Sequence, residues 1–319
     1  MPPSPPLTVV LPAHDAEATI RQAMLSTLQQ TYTDFELWVL ENGSRDRTAA
    51  VARSVPDPRV TVHELGPVGF QGAIQYAIEH ASSRWLARMD ADDLMFPRRL
   101  QAQMEVISQH PELVLVGTAF ALLTPFGHIF ERVRASRSGE VDTGRLSRGR
   151  VFADPSTLFS RQVALDVGGV DPEFTMGDLP LLFRLLTRGK GWEVAEPLHL
   201  YGIQPESMSR SVDFHLQGIR TRAKYAPETL VDWPAPPKEA PSAWGFIAGL
   251  ELMAGDGSAV RRATDRFAGE GCPARTARRL RWLSYLGRLG GACYAWRNRH
   301  DVRYRHRRDW ERLFRSLLR

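Results

Sequence analysis

From Leu7 to Thr118, short apolar runs alternate with segments in which apolar residues recur every three or four positions. Leu7–Leu11, Phe35–Leu40 and Leu113–Thr118 have the length and composition of buried strands. Arg59–Leu65 alternates apolar and polar positions, and Arg84–Met89 is a further apolar-rich run that ends directly in Asp90-Ala91-Asp92-Asp93. Between these runs, Ile20, Met24 and Leu28 mark one face of a helix within residues 16–30, and Ile74, Ala77 and Ile78 do the same within 69–81. Asn42 and Ser44 are expected to cap a helix that runs to Val55, and Pro97 to sit in the first turn of one that ends at His110. Strands alternating with helices predict an α/β fold around a parallel sheet.

The pattern loosens over residues 120–150, which read as a variable excursion rich in Arg, Ser and Gly. Order resumes afterwards, with Gly168-Gly169 ending a short helix, a helix in the stretch from Gly177 to Leu186, a turn at 189–191 and one or two strands. The texture changes after Ser211. Residues 1–211 are therefore assigned to an α/β domain, 212–242 to a Pro-rich linker and 243–319 to a basic helical C-terminal region. From Arg275 onward fourteen Arg stand against Asp301, Asp309 and Glu311, a formal +11; with +5 for the whole chain, the remainder carries 5 − 11 = −6. Trp310, Leu313, Phe314, Leu317 and Leu318 fall on one helical face among these arginines. Such a face either lies in an anionic membrane surface or packs on the α/β domain or a second subunit.

Only two cysteines occur, Cys272 and Cys293, so neither a disulfide framework nor a CxxC zinc pattern is present. The opening residues lack the basic start of a signal peptide, and no apolar run approaches the ~20 residues of a membrane span. A cytoplasmic protein is expected, with peripheral contact at the inner face of the membrane as one role for the tail. No recognised motif supports nucleic-acid binding.

Three polar clusters fall at the carboxyl ends of expected strands: Pro12–Asp15, Glu41–Ser44 and Asp90–Asp93. In open α/β sheets ligands bind in the crevice beyond those ends. In an extended chain Asp90 and Asp92 share one side and Asp93 takes the other. Read alone, the cluster is either an exposed acidic turn or a pair of oxygens for a hard cation such as Mg²⁺ or Mn²⁺.

The wider spacing narrows the choice. The stretch "VVLPAHDAEATIRQAMLSTLQQTYTDFELWVLENGSRDRT", followed by "GFQGAIQYAIEHASSRWLARMDADD" and "PRRLQAQMEVISQHPELVLVGT", resembles the opening of family 2 glycosyltransferases. "DPSTLFSRQVALDVGGVDPEF", "GDLPLLFRLL" and "LHLYGIQPESMSRS" resemble the family's later segments in order, so the resemblance spans roughly residues 7–211. It implies a GT-A fold, a mostly parallel nucleotide-binding sheet flanked by helices, followed here by a helical C-terminal region. It also implies inverting transfer of a sugar from a nucleotide-diphosphate donor to a glycan or lipid-linked acceptor, as in bacterial polysaccharide or glycoconjugate synthesis.

By the same resemblance Asp90 and Asp92 would meet the metal, with Asp90 also at the donor. Pro12, His14, Glu41, Asn42 and Gln71 would hold the nucleotide sugar, and Asp178 would act as the base. Asp93 and the two tryptophans Trp38 and Trp85 read as structural. This sequence departs from the family pattern where Glu41-Asn42 replaces Asp-Asp, where Gln75 and Ala77 replace Asn and Gly, where Gly177 replaces the Glu before the base, where Asp154 replaces a His, and at Gln204. Two other readings combine with the same motif. A metal-dependent nucleotidyltransferase would want a Gly-rich signature with Lys or Arg near the N-terminus, which "LPAHDAEATIRQ" lacks. A non-catalytic glycosyltransferase-like partner subunit would accommodate the departures.

Overall fold

The computed structural model describes residues 6–132, 138–148, 152–175, 177–204, 212–228, 248, 252, 256–269 and 274–285. Strand β1 (Leu7–Ala13) pairs in parallel with β2 (Phe35–Glu41) on one side and β4 (Trp85–Arg88) on the other, and β2 pairs in parallel with β3 (Val60–Glu64). Beyond β4 lies the short β9 (Leu158–Ser160), antiparallel both to β4 and to β6 (Leu113–Leu123), so β4 and β6 point the same way. β10 (Lys190–Gly202) runs parallel to β6. Six strands of the main path therefore share one direction. The short β5 (Leu94–Met95), β7 (Ile129–Arg132), β8 (Gly139–Val141) and β9 run against them. The sheet is mostly parallel, as the alternating pattern predicts.

Helices cover both faces, which is why β1 reads as an unbroken apolar run. Leu7, Val9 and Leu11 face the core under α1 (Ile20–Leu28) and α4 (Arg99–Gln109), whereas Val10 faces the core under α3 (Gly69–His80). α6 (Arg161–Asp166) and α7 (Leu179–Leu186) complete that second layer, and Leu181, Leu182, Phe183 and Leu185 are buried in it. Trp38 and Trp85 are core residues.

Several expectations change. Asn42 and Ser44 do not cap the following helix, because α2 (Thr48–Arg53) starts later and the Thr48 N–H goes to Asp46 Oδ1 at 2.9 Å. Pro97 lies just outside α4. The excursion after residue 120 is more regular than its composition suggests: β6 continues through Leu123, turns at Gly127 and returns as β7, then β8 and α5 (Thr143–Arg148) follow. The segment read as a linker begins with a helix, α8 (Val212–Tyr225), whose Tyr225 ring stacks on Phe183 with centroids 5.9 Å apart.

Two further helices, α9 (Gly257–Gly269) and α10 (Ala274–Tyr285), place Val260, Ala263, Leu280 and Leu283 in one apolar cluster with Phe120, Leu122 and Phe130. For these two helices the apolar face packs on strands β6 and β7 of the sheet. The amphipathic stretch from Trp310 to Leu318 lies outside the described residues. Among the described residues no helix is long and apolar enough to cross a membrane.

Candidate active site

Beyond the carboxyl ends of β1 and β4 opens a cavity of about 550 Å³. Pro12 and His14 reach it from the end of β1, Asp90 and Asp92 from the turn after β4, and Asp178 from the head of α7. Phe120, Phe152, Tyr201 and Phe214 also line it, together with Asp154 and Gln204. Five of the sequence-predicted residues are thus brought together from three separate parts of the chain.

Glu41, Asn42 and Gln71 do not line this cavity. Glu41 is buried, and its Oε1 accepts the Ser44 N–H at 2.5 Å. Asn42 Oδ1 accepts the Gly69 N–H at 2.9 Å, so it caps α3 and not its own downstream helix. Its backbone carbonyl accepts from His14 Nδ1 at 3.0 Å, which orients the imidazole of a cavity residue. Gln71 donates from Nε2 to the Gly177 carbonyl at 2.6 Å and so steadies the loop that delivers Asp178. Gly177 has φ +75°, and a Cβ there would meet Phe214 at 3.0 Å. Both facts explain why a glycine precedes Asp178.

The acidic stretch is not extended. Asp93 N–H donates to the Asp90 carbonyl at 3.3 Å, which closes a turn between β4 and β5. Asp90 and Asp92 still face the cavity while Asp93 points into the protein. There Asp93 accepts from His199 Nε2 at 2.7 Å and from the Gly202 N–H at 2.7 Å. His199 Nδ1 faces Arg99 Nη1 at 3.2 Å. An arginine can only donate, so Nδ1 is the accepting nitrogen and Nε2 carries the proton. Burial, with Arg99 beside it, holds the His199 pKa well below its usual value and keeps the ring neutral.

Arg88, the last residue of the buried strand β4, is the charged residue at this site that the sequence pattern does not single out. Its Nη2 donates to Asp90 Oδ1 at 2.7 Å and its Nε to Asp178 Oδ2 at 3.1 Å. Its signal was legible, since a charged residue in a buried strand needs a partner. Asp178 occupies the N-cap position of α7 but makes no capping bond with its side chain. The carboxylate turns to Arg88 instead. Burial pushes the Asp178 carboxyl up to about 7 against the pull of Arg88, with Asp154 and Asp90 adding to the rise. A carboxyl held near neutrality suits proton transfer at physiological pH. Burial, then the neighbouring Asp93 and Asp90, likewise raise Asp92 well above the ordinary carboxylate range. A cation at Asp90 and Asp92 would relieve that strain.

Two carboxylates fit Mg²⁺ or Mn²⁺, which complete their shells with water and substrate phosphates. Among the described residues no group of three or more His, Cys, Asp or Glu side chains forms a self-sufficient metal cage.

A mostly parallel α/β sheet thus carries paired carboxylates and a separate carboxyl poised near neutrality on one crevice. Residues 8–163 match the model of glycosyl transferase family 2. The chain is 28% identical over 215 residues to the O-antigen biosynthesis glycosyltransferase WbnJ of Escherichia coli, covering 64% of this chain and 82% of the relative. It is 25% identical over 203 residues to the putative glycosyltransferase EpsE of Bacillus subtilis, covering 61% and 72% respectively. Among solved structures, S. aureus TarS residues 1–349 in complex with UDP-GlcNAc superposes with a TM-score of 0.57 at 15% identity, over 92% of this chain and 91% of that one. The mannosyltransferase PcManGT of Pyrobaculum calidifontis, in complex with GDP-Man and Mn²⁺, gives 0.51 at 18% identity, over 98% and 85%. The family 2 model thus matches just under half of the chain, and with these relatives it identifies the protein as a glycosyltransferase.

Proposed function

We propose that this protein carries out inverting, metal-dependent transfer of a sugar from a nucleotide-diphosphate sugar to an acceptor hydroxyl, in the synthesis of a bacterial polysaccharide or glycoconjugate. The observation that carries the reading is the opening of Asp90, Asp92 and Asp178 onto one cavity. The relatives' names support the biosynthetic setting, since WbnJ is an O-antigen enzyme. WfgD of E. coli, 31% identical over 103 residues that make up 32% of this chain and 40% of its own, is named for glucosyl transfer to a diphosphoundecaprenol-linked sugar. A glycan or lipid-linked acceptor follows by analogy.

In this mechanism Asp90 and Asp92 would hold Mg²⁺ or Mn²⁺, which when bound supplies positive charge against the departing diphosphate. Pro12 and His14 contact the nucleotide end of the donor. Glu41, Asn42 and Gln71 act at one remove by fixing the loops that carry His14 and Asp178. Asp178 takes the proton from the acceptor hydroxyl as that oxygen attacks the anomeric carbon. The bond to the diphosphate breaks in the same displacement, the configuration inverts and the nucleoside diphosphate leaves. Phe120, Phe152, Tyr201 and Phe214 offer aromatic faces to the acceptor.

The N-terminal unit through residue 211 holds these groups except Phe214, which α8 brings to the cavity, and α8 to α10 brace that unit. The basic residues beyond 285 are proposed to supply the peripheral contact with the inner membrane surface or with a second subunit. Thermal-shift screening against UDP-, GDP- and dTDP-sugars with Mn²⁺ tests the reading. A donor at 100 times its Kd stabilises the fold by about 2.7 kcal/mol. Slow metal-dependent hydrolysis of that donor by the pure protein is then expected. A folded protein that neither binds nor hydrolyses any nucleotide sugar would be a partner subunit instead.

A further inference from the structure

Arg88 is completely buried, and its guanidinium is nearly saturated. Besides the bonds to Asp90 and Asp178, Nη1 donates to the Val10 carbonyl at 3.3 Å and to the Met89 carbonyl at 3.2 Å. The Phe70 ring lies against it, 5.0 Å from its central carbon. A buried cation of this kind is commonly a structural ion pair. Here, however, its two carboxylate partners have different exposures: the Asp90 side chain is 31% exposed and that of Asp178 5%. Both line the cavity. One guanidinium thus occupies an oxygen of the carboxylate assigned to the donor's cation and holds the carboxylate assigned to the acceptor.

We infer that Arg88 is a positioning residue shared by the two halves of the site: it aims Asp178 at the acceptor, and it competes with the divalent cation for Asp90. This rests on the proposed roles of Asp90 and Asp178. The two effects have opposite signs. Removing the guanidinium frees Asp90 Oδ1 and takes away a positive charge beside the cation site, so the cation binds more tightly. The same change releases Asp178, so turnover falls. A part that only supports the fold would weaken both together.

Arg88→Gln and Arg88→Lys test this, with Mn²⁺ binding measured by calorimetry, for Mn²⁺ alone and with UDP, and transfer kinetics measured with the donor found by thermal shift. Arg88→Gln is expected to bind Mn²⁺ several-fold more tightly while kcat falls by roughly 10²-fold, the scale of a misplaced reacting group, and donor KM changes little. Arg88→Lys keeps the charge but cannot span both carboxylates. It is expected to bind Mn²⁺ as the unaltered protein does and still to lose at least about tenfold in kcat. If Arg88→Gln melts too early to assay, the lysine variant decides by itself. Weaker Mn²⁺ binding in the Gln variant, or full turnover in the Lys variant, overturns the inference. Were the unaltered protein itself to transfer no sugar, the proposed function would fail; normal transfer combined with either overturning result removes the role of Arg88 alone.

Discussion

His199 Nε2 donates to Asp93 Oδ2 at 2.7 Å and so joins the turn after β4 to β10. Both side chains are buried, and Arg99 continues the chain of bonds to the Arg88 carbonyl at 2.7 Å and the Pro155 carbonyl at 2.9 Å. The turn that presents Asp90 and Asp92 is therefore anchored from beneath by its own fourth residue. Asp93→Ala would leave the Gly202 N–H and the His199 Nε2–H without their acceptor and would remove the carboxylate that offsets the buried Arg99 charge. Breaking one member of a buried charged network costs about 3–5 kcal/mol. The urea midpoint is expected to fall accordingly with an unchanged slope; a shift below about 0.5 kcal/mol, the range of surface substitutions, would refute the anchor.

Asp178→Asn retains shape and removes the base. kcat is expected to fall by roughly 10² or more, while donor affinity stays close to that of the unaltered protein. The alternatives nearby are otherwise engaged: Asp171 accepts from Tyr225 Oη at 2.5 Å and from Lys224 Nζ at 2.7 Å, and Glu173 accepts from Lys224 Nζ at 2.6 Å. Near-normal turnover in the Asn variant, by steady-state transfer kinetics, would show that the base lies elsewhere.

The same carboxyl sets a pH dependence. Its pKa is raised to about 7, and the base must be ionised. Below that value it holds its proton, so kcat should rise with pH through neutrality and level off above it. The acid limb should fall close to tenfold per pH unit, as for one essential group. A flat kcat between pH 5.5 and 7.5 (roughly the window that a group near 7 commands) would contradict the assignment.

Sequence pattern reveals the sheet because the inner parallel strands β1, β2 and β4 are buried on both faces, so burial is written directly into runs such as Leu7–Leu11. It reveals Asp90, Asp92 and Asp178 because their neighbours repeat a family's spacing. Arg88 was harder to see, since its meaning depends on Asp178, which only the fold brings within reach. Asn42 misled for a similar reason: its partner Gly69 belongs to a helix far along the chain, and a local capping rule cannot find it. The aromatic wall was missed because Phe120, Phe152, Tyr201 and Phe214 are dispersed and individually look like core.

Asp92 is expected to matter through the cation. Its burial against Asp93 and Asp90 makes a second negative charge costly unless a positive ion is present. Asp92→Asn should lower the enhancement of UDP-sugar binding by Mn²⁺ while leaving metal-free binding nearly intact. Calorimetry with and without Mn²⁺ reads both quantities. Identical Mn²⁺ enhancement in the two proteins would remove Asp92 from the metal site.

The last expectation concerns Gly202, at the end of β10. A Cβ at this position would lie 2.1 Å from the Asp92 carbonyl oxygen and 3.4 Å from Asp93 Oδ1. The clashing atom is backbone, so it cannot swing aside as a side-chain tip would. Gly202→Ala must push the acidic turn away from β10 and stretch the 2.7 Å bond from the Gly202 N–H to Asp93. Overpacking of this size costs about 1–3 kcal/mol in stability. The displacement falls on the residues that face the donor, so Mn²⁺-dependent donor binding should weaken as well, at temperatures where the variant is fully folded. Gly139→Ala provides the comparison, because the nearest atom to its Cβ is Arg145 Nη1 at 3.6 Å. That variant is expected to stay within about 0.5 kcal/mol of the parent and to bind donor normally. Should Gly202→Ala match Gly139→Ala in both melting and donor affinity, the close approach of β10 to Asp92 would not be what sets the turn.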